Sequence, residues 1–136
     1  MPKGEYRWVR VMALAKEEKA AIAATCERFI GEVLRPRFLP EIRPTGFNYP
    51  VGIRGQWRGS RYSFVTRYRS GFPENRGEEF DAPFACLVHR EEDLTATRFD
   101  VMWFRHTGRW WPMHSAVTLD EALHLIETDP VLRPPL

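Results

Sequence analysis

Residues 50–69, which read PVGIRGQWRGSRYSFVTRYR, carry the pattern that decides the fold. Gly59 and Ser60 can form a two-residue hairpin turn, because glycine tolerates a positive φ at the first central position. That turn sets one register for both strands, with Arg58 opposite Arg61, Gln56 opposite Ser63, Arg54 opposite Val65 and Gly52 opposite Arg67. Alternate strand residues share a face, so these positions lie on one side. The other side collects apolar and aromatic side chains, at Val51, Ile53, Trp57, Tyr62, Phe64 and Tyr68. Because a single register satisfies both faces, the segment predicts an antiparallel hairpin.

A helix is predicted before this hairpin, over residues 16–34. Its apolar stripe recurs at spacings of three and four, at Ile22, Cys26, Phe29, Ile30 and Val33. Glu17 and Glu18 lie in the first turn, where the helix dipole favours negative charge. Pro36 is expected to end the helix and to keep Arg35 out of the helical region.

More strands are predicted after the hairpin. Residues 70–82 are expected to form a loop whose end is acidic, at Glu78, Glu79 and Asp81. Residues 83–90 are apolar on both faces, which is typical of an interior strand. Residues 98–105 form the next strand, and the chain then reverses near Gly108 into residues 109–113. Gly108 suits a left-handed position, and the pattern leaves both a two-residue and a three-residue loop open.

A second helix is predicted over residues 119–128. Thr118 is its N-cap and Glu121 follows three residues later, which forms a capping box. The buried face is formed by Leu119, Ala122, Leu123, Leu125 and Ile126. Strands clustered between two helices predict an α+β fold. We expect an N-terminal helix, an antiparallel meander sheet of four to five strands, and a C-terminal helix packed on one sheet face.

Length and composition are those of one globular domain. The chain has 136 residues, of which 43% are hydrophobic and 28% are charged. We expect residues 15–130 to form the domain, residues 1–14 an N-terminal arm and residues 131–136 a proline-rich tail, and either Met1 or Met12 can be the true start. No apolar run approaches the ~18 residues of a membrane helix. Cys26 and Cys86 form no CxxC pair, and we expect two buried free thiols in a reducing, cytoplasmic compartment.

The C-terminal half resembles a small bacterial family that is known only as a domain of unknown function (family 3024). The likeness lies in Ala85-Cys86-Leu87-Val88, in Val101-Met102-Trp103-Phe104-Arg105, in Trp110-Trp111-Pro112-Met113, and in Leu119-Asp120-Glu121-Ala122-Leu123 running to Asp129-Pro130. The first helix and the hairpin fit more weakly, and together the likeness covers roughly residues 15–130. The resemblance supports the fold, and it implies no activity, cofactor or catalytic residue.

Arginines on one side of the hairpin form the candidate binding surface, which we call the arginine face: Arg54, Arg58, Arg61, Arg67 and Arg69. Arg105 and Arg109 are expected to extend it. Such a surface can grip phosphates, and nearby rings can stack on bases. The alternative is a solvated face whose charges pair with Glu78, Glu79, Asp81 and residues 91–93. A formal net charge of only +2 argues against a general nucleic-acid binder.

Trp110 and Trp111 are the second candidate for binding. They are neighbours on one predicted strand and must point to opposite faces, so one of them can be exposed. The exposed ring is the better candidate for a partner. The alternative is that Trp103, Trp110 and Trp111 form cross-strand aromatic pairs that only stabilise the hairpin.

No catalytic residue, metal or cofactor is predicted. Cys86 and His89 are three apart on a strand and point to opposite faces, which prevents a local dyad. We therefore expect a non-catalytic binding or accessory domain for a protein or nucleic-acid partner. Two alternatives stay open. One is a small enzyme with a cleft near His106 and His114. The other is a homodimer formed through an apolar sheet face.

Overall fold

The computed structural model describes residues 13–90 and 97–136 of the chain. The described elements, in chain order, are α1 (Lys16–Phe29), a π-helical turn (Ile30–Leu34), α2 (Arg35–Phe38), β1 (Asn48–Arg58), β2 (Arg61–Ser70), a 3-10 turn (Pro73–Asn75), β3 (Glu79–His89), β4 (Phe99–Phe104), β5 (Trp110–Val117) and α3 (Leu119–Thr128). The strands form one antiparallel meander sheet in the order β1-β2-β3-β4-β5. The predicted α+β fold is therefore confirmed. The expectations for the start of the arm and for the acidic residues 91–93 lie outside the described residues.

The first hairpin has the predicted turn and register. Gly59 takes the left-handed conformation with φ +62°, and Arg58 pairs with Arg61. The register then holds to the pair of Gly52 and Arg67, where a bulge leaves Val51 without a cross-strand partner.

The second hairpin closes with a three-residue loop. Gly108 has φ +83°, and its N–H donates to the Arg105 carbonyl at 2.9 Å. The Arg105 N–H donates to the Arg109 carbonyl at 2.9 Å, so these two residues flank the loop. This is the turn with a glycine bulge that three-residue loops favour.

The N-terminal helix starts at Lys16 as predicted, but its end differs from the prediction. The chain stays helical through Pro36 to Phe38, and Arg35 has helical angles (φ −63°, ψ −51°). The intervening π-helical turn is the physical reason, because a wider turn gives the proline ring room that an α-helix lacks. The Arg35 N–H reaches back five residues to the Ile30 carbonyl. The extra residue also moves the buried stripe, so that Leu34 is buried and Val33 is only half-buried.

Two strands are longer than predicted. β3 begins at Glu79, so Glu79 and Asp81, which were expected in a loop, lie on a strand opposite β2, and only Glu78 stays outside it. β5 continues to Val117 past a left-handed residue, Ala116 (φ 56°). Its irregular end is held because the Ala116 N–H donates to the Asp100 carboxylate at 3.1 Å.

The core lies between the aromatic side of the sheet and the helices. Side chains from α1, the π-helical turn and α3 pack there, including Ile22, Cys26, Ile30, Leu34, Ala122 and Ile126. They meet sheet residues that share one face, including Ile53, Tyr62, Phe64, Leu87 and Val101. Each fully buried large apolar side chain stabilises such a core by about 1.5–3 kcal/mol. Leu132, in the segment expected as a tail, is also fully buried in this core. The arginine face is thus the sheet face that the helices leave uncovered.

Candidate binding groove on the arginine face

On the part of the arginine face that lies away from the Gly59 turn, the arginines form ion pairs with carboxylates. Asp81 on β3 accepts hydrogen bonds from Arg54 and from Arg67, the latter at 3.1 Å. Glu79 accepts from Arg67 at 3.1 Å and from Arg69 at 2.8 Å. We call this set the arginine–carboxylate ladder. It is the pairing that the sequence offered as the alternative to a binding surface, and it occupies three of the five arginines.

The ladder also changes the acidity of its carboxyl groups. The hydrogen bonds from Arg69 and Arg67 hold the pKa of Glu79 below its usual range. Burial raises the pKa of Asp81, but the hydrogen bonds from Arg54 and Arg67 outweigh it, so the pKa of Asp81 is also lowered. Both groups are therefore ionised at neutral pH and neutralise the arginines beside them.

Arg58 and Arg61, beside the Gly59 turn, differ from the other arginines. Within residues 13–90 and 97–136, neither forms an ion pair with a carboxylate. The guanidinium of Arg61 lies 5.3 Å from the centre of the Trp110 ring. The side-chain amide of Gln56, oriented with its oxygen towards Arg58, accepts from Arg58 at 3.0 and 3.1 Å. The free positive charge of the face is thus concentrated at the hairpin turn.

The turn that carries these arginines is fixed to α1. The Lys19 ammonium donates to the Gly59 carbonyl at 2.9 Å and lies 5.3 Å from the centre of the Trp57 ring. The Trp57 indole N–H in turn donates to the Lys19 carbonyl at 3.0 Å. The Ser60 carbonyl accepts from the His89 N–H of β3 at 3.2 Å. These contacts hold the turn in place and so fix the backbone positions from which the side chains of Arg58 and Arg61 extend.

An open groove of about 240 Å³ lies between these arginines and two rings of the second hairpin. Phe104 and Trp110 form its far wall, and they pack edge to face with ring centres 5.0 Å apart. Ser63 of β2 lies on the floor. Asp81 lines the inner end and is already held by the ladder. The groove therefore combines cations, rings and a hydroxyl at one end of the arginine face.

Ser63 is the most informative residue in the groove. Its side chain is 2% exposed, yet its hydroxyl has no hydrogen-bond partner among the residues that the structure describes. The Nε of Arg61, which also lines the groove, is buried and likewise has no partner in the described part of the chain. A buried polar group left unpaired costs about 1–3 kcal/mol. A hydrogen-bonding group that reached either atom from the groove would remove this cost.

Cys86, opposite Ser63 on β3, is not a reactive thiol. It is fully buried, and burial raises its pKa to about 12 although the nearby charge of Arg61 lowers it. Cys26 is also buried, and burial followed by the charge of Glu27 raises its pKa to about 12. Both cysteines are free, as predicted. Neither thiol can supply a nucleophile at neutral pH.

Three predicted site residues lie on the other side of the sheet. The guanidinium of Arg105 is 4.9 Å from the ring centre of Trp111 and 5.6 Å from that of Trp103. The register places Trp103 and Trp111 on the helix side and Phe104 and Trp110 on the arginine face. Arg109 flanks the loop opposite Arg105. The expectation that Arg105 and Arg109 extend the arginine face is therefore wrong. The register of β3 and β4 places Arg105 on the helix side, and the three-residue loop places Arg109 opposite it on the same side.

Trp110 and Trp111 point to opposite faces as the sequence predicts. The exposed ring is Trp111, which is 50% exposed and lies against Arg105. Trp110 is half-buried and lies against Arg61. The two proposed surfaces, the arginine face and the exposed tryptophan, therefore cannot form one site.

The two histidines of the alternative enzymatic cleft do not come together. His106 lies in the hairpin loop, whereas His114 pairs with Val101 further along the strands. Five residues of strand separate these levels, which is on the order of 15 Å. His114 instead lies 3.3 Å from the Asp129 carboxylate. Across the described ranges, no three His, Cys, Asp or Glu side chains cluster closely enough to hold a metal ion.

Sequence reasoning passed over Ser63, Gln56 and Phe104 as site residues. Ser63 and Gln56 appeared in the hairpin register, but only as a pair on the arginine side. The missing information was the register of β3 and β4, which brings Phe104 to that side. That register includes a bulge at Phe64 and Val65, which no turn residue announces.

The comparisons with known proteins give a family and no activity. The model of a family described as DUF3024, a domain of unknown function, matches residues 14–132. Neither the curated proteins nor the solved structures contain a significant match to the chain. No helix in the described part of the chain is long and apolar enough to cross a bilayer.

Proposed function

The chain belongs to the DUF3024 family of domains of unknown function, and we propose that it is a non-catalytic binding domain. Its site is the groove on the arginine face, formed by Arg58, Arg61, Ser63, Phe104 and Trp110. The partner is a protein or a nucleic acid that presents an anionic group. The observation that supports the proposal is the buried hydroxyl of Ser63 at the floor of a cationic groove, which no group of the described chain satisfies.

The contrast within the arginine face supports this choice of site. Arg67 and Arg69 are satisfied by carboxylates from β3, so binding an anion there would break existing ion pairs. Arg58 and Arg61 have no carboxylate to lose within the described ranges, so an anion adds charge-assisted hydrogen bonds without that cost. An anionic partner therefore gains the most binding free energy at the groove end of the arginine face.

The remaining alternatives have less support. The apolar residues on both faces of the predicted strand 83–90 motivated the homodimer, but Phe84–Leu87 are already buried within one chain. The buried, free cysteines agree with a reducing compartment, and we propose a cytoplasmic protein.

The test uses inorganic tripolyphosphate as the anionic probe and the whole chain labelled with ¹⁵N. We expect two-dimensional NMR to show saturable shifts of the Trp110 indole and of amides near Arg58 and Arg61. The double variant Arg58→Gln/Arg61→Gln is expected to lose these shifts. The matched variant Arg67→Gln/Arg69→Gln removes the same charge from the same face and is expected to keep them.

Two results would contradict the proposal. One is that tripolyphosphate shifts no residue of the groove. The other is that both double variants, each shown by circular dichroism to be folded, weaken binding equally. In the second case the face would attract anions only by its overall charge.

A further inference from the structure

The size of the groove limits what it can hold. Sites for whole small molecules usually measure roughly 300–1,000 Å³, whereas this groove is about 240 Å³ and is open. It therefore suits one ring-sized group of a larger partner better than a complete ligand. The rest of such a partner would lie outside, along the sheet.

The lining divides the groove into three kinds of surface. Arg58 and Arg61 supply positive charge at the hairpin turn, and Trp110 with Phe104 supplies an aromatic wall. The hydroxyl of Ser63 supplies a hydrogen-bonding group between them. Gln56 also lines the groove, where its amide oxygen accepts from Arg58 and its amide NH2 remains to donate. A group that matches all three is anionic at one end and flat at the other, and carries hydrogen-bonding edges on its ring.

Other anionic partners match only part of this lining. An acidic peptide offers carboxylates to Arg58 and Arg61 but nothing for the wall or for Ser63. A phosphotyrosine offers an anion and a ring, but its ring has no polar edge, so the Ser63 hydroxyl would stay unpaired. A nucleotide has a phosphate, a flat base and donors and acceptors on the base edge.

We infer that the groove binds one nucleotide of a single-stranded nucleic acid, an inference that rests on the proposed function. The phosphates lie against Arg58 and Arg61. The base lies against Trp110, in the place over the ring that the Arg61 guanidinium occupies in this structure, 5.3 Å from the ring centre. The base edge faces Ser63 and Gln56. A single strand is required, because a base inside a duplex cannot lie against Trp110 in the groove without leaving its stack.

The local charge is compatible with the low net charge of the chain. Two arginines contact about two phosphates, and log K for single strands falls with log[salt] at about −0.7 per phosphate. The expected slope is therefore about −1.4. A general polyanion binder that used all the arginines of the face would give a steeper slope.

The experiment measures fluorescence anisotropy of a labelled ten-nucleotide oligothymidylate and oligouridylate from 50 to 200 mM salt. We expect a slope of about −1.4 for the natural chain and about −0.7 for Arg58→Gln. Base–aromatic stacking of ~1–3 kcal/mol converts to a roughly 5- to 150-fold loss of affinity for Trp110→Ala. Trp110→Phe keeps a ring and is expected to retain most of the binding.

Ser63→Ala separates a contact with the base from a structural role. Loss of one hydrogen bond of ~0.5–1.5 kcal/mol lowers affinity roughly 2- to 12-fold. The slope with salt is expected to stay at about −1.4, because no phosphate contact is removed. If Trp110→Ala does not fold, the Trp110→Phe and Ser63→Ala measurements decide the question.

Several outcomes would overturn the inference. It falls if neither oligonucleotide binds while tripolyphosphate still shifts the groove residues, and the proposed function then stands. It also falls if a duplex of the same length, a phosphotyrosine peptide or a polyglutamate peptide binds more tightly than the single strand. If neither the oligonucleotides nor tripolyphosphate binds in the groove, both the inference and the proposed function are wrong.

Discussion

Replacing Ser63 with alanine should make the protein more stable. The Ser63 side chain is 2% exposed, and its hydroxyl has no hydrogen-bond partner within residues 13–90 and 97–136. Burying such a group costs about 1–3 kcal/mol. Alanine keeps the Cβ and removes only the hydroxyl, so the loss of packing is small. We expect the free energy of unfolding to rise by about 1 kcal/mol, which raises Tm by roughly 3–6 °C in a domain of this size.

Ser70→Ala is the matched control on the same strand. Ser70 is fully buried, but its hydroxyl donates to the Asn75 side chain at 2.6 Å and accepts from the Phe72 N–H at 3.1 Å. Removing this hydroxyl leaves both partners unsatisfied and should lower the free energy of unfolding by about 1–3 kcal/mol. The same substitution at two buried serines of β2 should therefore have opposite signs.

Urea denaturation followed by circular dichroism measures both variants. A loss of more than about 1 kcal/mol for Ser63→Ala would mean that the hydroxyl is satisfied in the folded protein. The main support for a ligand at the groove floor would then be gone. A loss for Ser63→Ala equal to that for Ser70→Ala would refute the reasoning completely.

Three further predictions concern the fold. Gly71→Ala should lower the free energy of unfolding by at least ~3 kcal/mol, because the new Cβ would lie 1.8 Å from the Thr45 carbonyl oxygen. The control Gly46→Ala has open space around its Cβ, and urea denaturation should show a change of less than ~0.5 kcal/mol. Since the pKa values of Glu79 and Asp81 are lowered on folding, their stabilisation is fully present above their unfolded values of 4.5 and 3.8 and is lost as the pH falls through the folded values. Glu79→Gln/Asp81→Asn should therefore flatten the decline of the urea midpoint between pH 5 and pH 2, and an unchanged decline would contradict the ladder. Cys26 and Cys86, whose pKa values are about 12, should not react with a disulfide reagent at pH 8 until denaturant is added, so rapid labelling of the folded protein would count against their burial.

The hairpins were predictable because residues close together in the sequence determine their turns. Gly59 fixed the first register, and the alternation of Arg58, Gln56 and Arg54 with apolar neighbours left only one face for each set. The cap at Thr118 likewise fixed the start of α3. In each of these cases a few neighbouring residues contain the whole signal.

Other features depend on partners that are distant in sequence. Glu79 and Asp81 are poor strand formers and look like loop residues, but Arg67 and Arg69 across from them make a strand favourable. Pro36 looks like a helix end, and it is tolerated because the turn before it widens. Three of the five arginines on the arginine face were thus assigned to binding, although carboxylates of β3 neutralise them.

The groove was the least predictable feature. Its arginines and Trp110 were chosen from the sequence, but its wall and floor come from three different pairings of strands. The side of the sheet on which Arg109 lies depended on the length of one loop, which the sequence left open. Small shifts of this kind move a residue from one face to the other.

Because Arg58 and Arg61 face each other across the strands, a ligand bound in the groove should change the stability of the hairpin turn beside them. Like charges directly opposite one another repel, so the cross-strand pair beside Gly59 weakens the end of its own hairpin. An anion that bridges both guanidinium groups reverses this effect and closes the turn. At a concentration of 100 times Kd, a ligand that binds only the closed turn raises the free energy of its opening by about 2.7 kcal/mol. The end of the hairpin then exchanges its amide hydrogens about a hundredfold more slowly, so the turn reports whether the partner is present.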